Sequence, residues 1–375
     1  MRFSRIELRN WRNFRSIRVE LGDRAFLIGP NAAGKSNFLD AFRFLREVAT
    51  EGLEKAVQIR GGVSGVRCLS ARQYSNVDIE VEIDDDTSKW TYRLVFNQDN
   101  VSRPVVKEER VTHDGTEVLV RPRADDKSDP ELLRYTSLQQ PVANQKFRVL
   151  AEFFRTISYQ HLLPQVVRDP KGFSPVPVVD DPFGRDFLLR VWRTHPKSRD
   201  ARLNKILQAL RVAVPQLSGL RVEMDNSGAP HLIGAYEHWR PHAASQNEHG
   251  FSDGTLRLLG LLWVMFEGVG PLLLEEPEIS LHPEVVRHIP AMFERIQRSR
   301  KTRRQVLIST HSEDLLSDKG IGATEVVRLE PGKNGTLVRL ATEDEVLAIE
   351  GGLSVADVIL PKSAPQGVDQ LPLVF

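Results

Sequence analysis

Apolar and polar residues alternate at the start of the chain, Met1-Arg2-Phe3-Ser4-Arg5-Ile6-Glu7-Leu8, and that period of two predicts a half-buried strand. The alternation returns within residues 76–122, as Val77-Asp78-Ile79-Glu80-Val81-Glu82-Ile83 and Thr91-Tyr92-Arg93-Leu94-Val95-Phe96. Turn formers close these runs at Asp84-Asp85-Asp86 and Asn97-Gln98-Asp99-Asn100, which predicts an antiparallel sheet. Three other apolar runs are continuous: Arg24 to Ile28, Pro271 to Leu274 and Gln305 to Ile308. Their length and lack of alternation predict buried strands. Helical spacing appears from Lys35 to Val48, with Phe38, Leu39, Phe42 and Leu45 on one face, and again from Leu258 to Phe266. It recurs from Arg185 to Val212, where Pro196 must split the pattern into two helices. Residues 123–145 are polar and read as a mobile loop; residues 169–184, rich in Pro and Asp, read as a connector. No heptad pattern is sustained, so long coiled-coil arms are not expected.

The chemistry begins between the strand Arg24–Ile28 and the helix that follows it. Gly29-Pro30-Asn31-Ala32-Ala33-Gly34-Lys35-Ser36 fits the phosphate-binding loop G-x-x-x-x-G-K-[S/T] at every position, and Asn37 follows. A strand, a glycine loop and a helix in that order set backbone N–H groups and a helix N-terminus around one anion. Lys35 is expected to reach the β- and γ-phosphates, and Ser36 to bind Mg²⁺. The chain is therefore expected to bind a nucleoside triphosphate.

Three later stretches narrow the reading. Phe251-Ser252-Asp253-Gly254-Thr255-Leu256-Arg257 is a small polar turn opening an apolar helix. Pro271 to Glu278 is a strand that delivers Glu275 and Glu276 at its end, with Ser280-Leu281-His282-Pro283 directly after. Gln305-Val306-Leu307-Ile308-Ser309-Thr310-His311-Ser312 is a second strand ending in polar residues. Each has a plain alternative. Two glutamates after a strand are often a solvated loop, a single histidine is more often structural, and a Ser-Asp-Gly turn is most simply a helix cap. Their order after the phosphate loop favours the functional reading.

That order resembles the ABC-type ATPases (signature, Walker B, D-loop, switch histidine), and the spellings resemble their RecF/OLD/SMC-like branch. The resemblance implies an α/β P-loop NTPase of ABC-ATPase-head type, with an antiparallel β-subdomain and a helical insert. It implies ATP and Mg²⁺ as cofactors, with Ser36 and Glu275 on the metal side and Glu276 orienting the attacking water. A Glu at the first position, where most ABC proteins have Asp, shifts the carboxylate by one methylene. His311 would bond the γ-phosphate. Ser252, Asp253 and Gly254 would meet the nucleotide of a second copy, making a homodimer around ATP. Gln165, with Gln160 as its rival, is the candidate for the Mg²⁺-sensing glutamine. Arg12, Asn13 or Arg15 could touch base or phosphate, or simply form a strand-edge turn. The expected division is residues 1–150 for the N-terminal part of the ATPase lobe, 151–245 for the helical insert, 246–361 for the rest of the core and 362–375 for a tail.

Composition changes this picture little. A hydrophobic content of 41% and a charged content of 27% are those of an ordinary globular protein. Cys68 is the one cysteine, which excludes an intramolecular disulfide and suits a cytoplasmic setting. The start lacks a signal-peptide core, and the longest apolar run is too short for a membrane. A net charge of +1 gives no global attraction to nucleic acid. Two basic clusters, Arg185 to Arg211 and Arg298 to Arg304, are either solvated faces or contacts to a DNA backbone. RecF resemblance points to DNA repair or recombination. The OLD branch points instead to an ATPase of anti-phage defence, alongside a protein partner. The 64 residues after His311 are too few for the metal-binding nuclease domain of OLD proteins, so no intrinsic nuclease is expected. A transporter subunit fits less well, because the signature is not Leu-Ser-Gly-Gly-Gln.

Overall fold

The structure is a computed structural model describing residues 1–70, 74–85, 87–169, 181–237, 244–300 and 303–363. Most of the expected connector at 169–184, and the tail beyond Ser363, lie outside the described residues.

Alternation at the N-terminus builds a hairpin of β1 (Arg2–Trp11) and β2 (Phe14–Glu20). The alternating stretch after residue 76 adds β4 (Val77–Asp85), β5 (Ser88–Gln98), β6 (Pro104–His113) and β7 (Thr116–Arg121). Together they form one antiparallel sheet in the order β2-β1-β4-β5-β6-β7. One face buries Ile6, Leu8, Ile79, Val81, Ile83, Tyr92 and Leu94. The other carries cross-strand ion pairs: Arg5 donates to Glu80 at 2.7 Å and to Glu82 at 2.5 Å, while Arg9 and Arg93 each donate to Asp78 at 2.9 Å. Opposite charges on facing strands support the register.

The continuous apolar runs form a second sheet, ordered β15-β14-β3-β13-β12-β8. Its strands are β3 (Arg24–Ile28), β8 (Ser158–Gln160), β12 (Leu272–Glu275), β13 (Val306–Ser309), β14 (Val326–Glu330) and β15 (Leu337–Arg339). β3 lies between two parallel neighbours, with Leu307 opposite Ala25 on one side and Val327 opposite Leu27 on the other. Parallel strands with both faces covered need no polar positions, which is why these segments show no alternation. The helix Lys35–Thr50 leaves β3 through the glycine loop and buries Phe38, Leu39, Phe42 and Leu45. Phe42 meets Phe3 edge-on at 4.8 Å between ring centroids.

Two expectations need correcting. Residues 123–145 are not an open loop; they contain a short helix, Ala124–Ser128, and a 3₁₀ turn, Pro130–Arg134. Arg121 organises them, donating to Asp126 at 2.6 Å, Glu109 at 3.2 Å, Leu132 O at 2.9 Å and Tyr135 O at 2.7 Å. Glu109, fully buried, also accepts from the N–H groups of Ser137 and Leu138 and from the Tyr92 hydroxyl. The segment reads as polar because its core is an ion network. The insert, likewise, is not wholly helical. It holds the helices Phe187–Arg193 and Pro196–Ala213, split at Pro196 as expected. It also holds a three-stranded sheet of β9 (Leu217–Met224), β10 (Pro230–Tyr236) and β11 (Ala244–Gln246), ordered β11-β10-β9.

The chain divides into two compact units. The first comprises the described residues of Met1–Ser158, Val269–Leu273 and Arg303 onward; the second comprises those of Tyr159–Gly268 and Leu274–Thr302. These units follow contacts and not the linear limits at 150 and 245, so the helix Asp253–Phe266 groups with the insert. It shares that unit's core with Phe187, Val191, Leu203, Ile206 and Leu232.

Candidate functional site

The phosphate-binding loop occupies residues 29–36 of the first unit. Gly29 (φ 152°) and Gly34 (φ 100°) take backbone angles that side chains disfavour, and both are crowded. A Cβ on Gly29 would lie 2.4 Å from the Leu329 carbonyl oxygen; one on Gly34 would lie 2.1 Å from the Asn13 carboxamide. The Lys35 ammonium turns back over the loop and donates to Gly29 O at 2.8 Å. Burial leaves Lys35 only 6% exposed, so its charge is concentrated in the concavity of the loop. Ser36 and Asn37 open the helix, and Asn37 donates to the Asn13 carboxamide oxygen at 2.9 Å.

Arg12 and Asn13, at the tip of the β1–β2 hairpin, are occupied by the protein itself. Arg12 donates to Gly65 O at 2.7 Å and to Asp40 at 3.2 Å. Burial pushes the Asp40 carboxyl upward, but the Arg60 guanidinium, 2.6 Å away, outweighs it and holds Asp40 below the usual carboxylate range. Asn13 donates to Ala33 O at 2.9 Å. Both residues line a pocket that also includes Ala32, Cys68, Leu69 and Thr336. On the other side of the loop, the Thr310 N–H donates to Leu27 O at 3.0 Å, continuing the pairing of β13 with β3. His311 is the exposed residue that follows.

The remaining candidates sit in the second unit. Ser252 is the N-cap of Asp253–Phe266, its Oγ accepting from the Thr255 N–H at 3.1 Å. Gly254 lies against the turn at Ser280, where a Cβ would come within 2.7 Å of the Ser280 carbonyl oxygen. Asp253 is held by two neighbours: Gln165 donates to it at 2.9 Å and Arg168 pairs with it at 2.6 Å. Arg168 also donates to Phe251 O at 2.6 Å and Glu248 O at 3.3 Å, which fixes the segment entering the helix Asp253–Phe266. Gln160 is buried beside Arg257 and Glu275 in a small pocket.

At the end of β12, Glu275 accepts from the Tyr159 hydroxyl, and the His161 Nδ1–H donates to its carbonyl at 3.0 Å. Glu276 follows with φ 43°, a left-handed angle that turns the chain sharply out of the strand. Glu275 is thus met at its carboxylate by Tyr159 and at its carbonyl by His161, and Glu276 sits on the turn. Thr336, Tyr159, His161 and Arg168 escaped the sequence reading. Each is an ordinary residue type whose meaning lies in a partner 85 or more positions away, such as Asp253 for Arg168 or Ala33 for Thr336.

Much of the basic charge is used within each unit. Arg199, Arg202 and Lys205 lie over the rings of Trp192, Trp263 and Phe266 at 4.9, 5.5 and 5.6 Å. Arg190 donates to Glu267 and Arg211 to Glu237, each at 3.2 Å, and Arg298 donates to Glu294 at 2.9 Å. Arg300 donates to Met265 O at 2.6 Å and Arg304 to Gly270 O at 2.5 Å. Arg193 and Lys197 are exposed; Lys301 lies outside the described residues. Among the described residues, no helix is long and apolar enough to cross a membrane.

A family model described as "AAA domain, putative AbiEii toxin, Type IV TA system" matches residues 24–318. Endonuclease GajA of Bacillus cereus (strain VD045) is 34% identical over 92 residues, which are 24% of this chain and 15% of that protein. The match thus spans about a seventh of that relative's length. An SMC head bound to the C-winged helix domain of ScpA aligns with a TM-score of 0.59 at 13% identity, over 92% of this chain and 99% of that one. The Smc head with an extended coiled coil, bound to the C-terminal domain of ScpA from Pyrococcus furiosus, gives 0.53 at 13% identity over 93% and 98%. At such identities the likeness is one of fold.

Proposed function

The chain belongs to the AAA domain family matched over residues 24–318, and from that premise we propose that it is an ABC-type ATPase of the RecF/OLD/SMC-like branch that binds and hydrolyses ATP. The observation that carries this reading is the phosphate loop. Its glycines sit at left-handed angles, its lysine is drawn into the concavity, and a sixteen-residue helix begins at its end. Ser36 and Glu275 present hard oxygen donors of the class that magnesium takes. A bound ion would neutralise charge on the transferring phosphate oxygens. Glu276 orients the attacking water, and His311 contacts the γ-phosphate. Ser252, Asp253 and Gly254 meet the nucleotide of a second copy, so ATP closes a homodimer and hydrolysis reopens it.

The cellular task in this proposal is DNA-associated and cytoplasmic, as RecF resemblance suggests, with exposed Arg193 and Lys197 as candidate backbone contacts. The likeness to a protein named an endonuclease, and to a family described with a toxin, favours a second reading as the ATPase of a defence system working with a protein partner.

Replacing Lys35 with Ala removes the loop's side-chain cation and is expected to abolish ATP binding without unfolding the protein. Calorimetry tests this. Unchanged ATP affinity in a folded Lys35→Ala protein would refute the placement of the site.

A further inference from the structure

We propose that the β14–β15 hairpin belongs to the nucleotide site, with Thr336 as a positioning residue for the phosphate-binding loop. The proposal rests on the nucleotide reading of that loop and deepens it. Thr336 is 5% exposed and lies 303 residues beyond Ala33 in sequence. Its hydroxyl donates to Ala33 O at 2.8 Å and accepts from the Asn13 carboxamide at 2.6 Å. Its N–H donates to Asn13 O at 2.8 Å. The same carboxamide nitrogen donates to Ala33 O at 2.9 Å, so that one carbonyl takes two hydrogen bonds from two distant segments.

The hairpin is shaped for this contact. Gly335 sits at φ 107°, and a Cβ there would lie 2.6 Å from Asn13 O. Gly332 and Gly335 exchange backbone hydrogen bonds of 3.1 and 3.3 Å, which close a tight turn. The first loop glycine, Gly29, is packed against Leu329 O at the end of β14. Thr336, Gly332 and Gly335 also line the pocket that holds Ala32 and Cys68.

The chemical purpose follows from the peptide plane. A loop that cradles an anion must turn its N–H groups inward and its carbonyls away. In a planar trans peptide the Gly34 N–H points opposite to the Ala33 carbonyl. Holding that carbonyl from the hairpin side commits the Gly34 N–H to the other side, where the anion is taken. Without the anchor, the 33–34 peptide can rotate and present its oxygen to the phosphate. Thr336 thus acts through the loop backbone and needs no contact with the ligand.

The test compares full-length Thr336→Val, Thr336→Ser and Lys35→Ala proteins by calorimetry with Mg-ATP, alongside thermal unfolding without nucleotide. The loss of one buried hydrogen bond should weaken ATP binding about 3- to 10-fold in the Val variant. The Ser variant, which keeps the hydroxyl, should bind within twofold of the unmodified protein. If Val shifts the unfolding midpoint, Thr336→Ala removes the same hydroxyl without adding a methyl group. Binding by the Val or Ala variant within twofold of the unmodified protein, with Lys35→Ala inactive, overturns the role of Thr336 and leaves the nucleotide reading intact. Equal losses in Val and Ser overturn it too. Normal binding by Lys35→Ala overturns both.

Discussion

Glu276 carries its backbone at φ 43°, an angle that costs a non-glycine residue about 1 kcal/mol or more. The next turn is tied to it, because Ile279 N–H donates to Glu276 O at 3.3 Å. Glu275, by contrast, is approached by Tyr159 and His161. In the proposed division of labour Glu275 is the metal-side carboxylate and Glu276 the water-orienting one. Glu276→Gln should therefore bind ATP normally and hydrolyse it about 10²–10⁴-fold more slowly. A phosphate-release assay reads this directly, and near-normal turnover would move the role to Glu275 or Glu278. At this scale, candidates for phosphate contact could be named from sequence because that ligand's chemistry dictates residue type and spacing. Thr336 and Tyr159 were not, since a hydroxyl acquires a role only from the partner that folding brings to it.

The β9–β10 hairpin holds a titrating contact beside the signature segment. The Nδ1 of His231 is 2.7 Å from the buried Glu248 carboxylate, and its Nε2 is 3.3 Å from Asp225. The Ala229 N–H and the Ser227 hydroxyl hold Asp225 down to about 2, so it is ionised throughout the neutral range. The hydrogen bond to Glu248, with Asp225 adding to it, raises His231 above its ordinary value. A raised folded pKa stabilises the protonated form. The contribution is full below about pH 6.5 and is lost as pH rises through the folded value. Amide exchange in β9 and β10, corrected for intrinsic rates, should thus show greater protection at pH 6 than at pH 8. His231→Gln should flatten that dependence, and an unchanged pH profile in the variant would count against the contact. Sequence patterning revealed strands with clean alternation, such as β4 and β5, and helices with a broad apolar face. It missed this hairpin because only Leu217, Leu220, Val222 and Leu232 of β9 and β10 are buried apolar residues, too sparse a signal to read. It misread residues 123–145 because Arg121, Glu109 and Asp126 pack as a core while being spelled as a surface.

For the molecule as a whole, the order of motifs was legible, but their allotment to units was not, because the chain crosses between the units at four places. The phosphate loop and His311 lie in one unit; the signature and the two carboxylates lie in the other. Ser252 caps its helix at a position whose N-terminus favours an anion, while the phosphate loop already supplies a nucleotide site of its own. A partner's nucleotide gives that second anion-favouring end a use. In a Glu276→Gln background, ATP should produce a dimer by light scattering, and adding Ser252→Arg should leave a monomer that still binds ATP. Equal dimerisation of both proteins would reduce Ser252 to a cap and end the two-copy mechanism. The placement of β3 between β13 and β14 has a further consequence, for synthesis. The ribosome releases the phosphate loop early, yet the strands that flank β3 and the Thr336 anchor come about 300 residues later. At roughly 5–20 residues per second, that interval is about 15–60 s. During it the nascent loop has neither its flanking strands nor its anchor, so the ability to hold nucleotide should arrive late in translation, with the C-terminal hairpin.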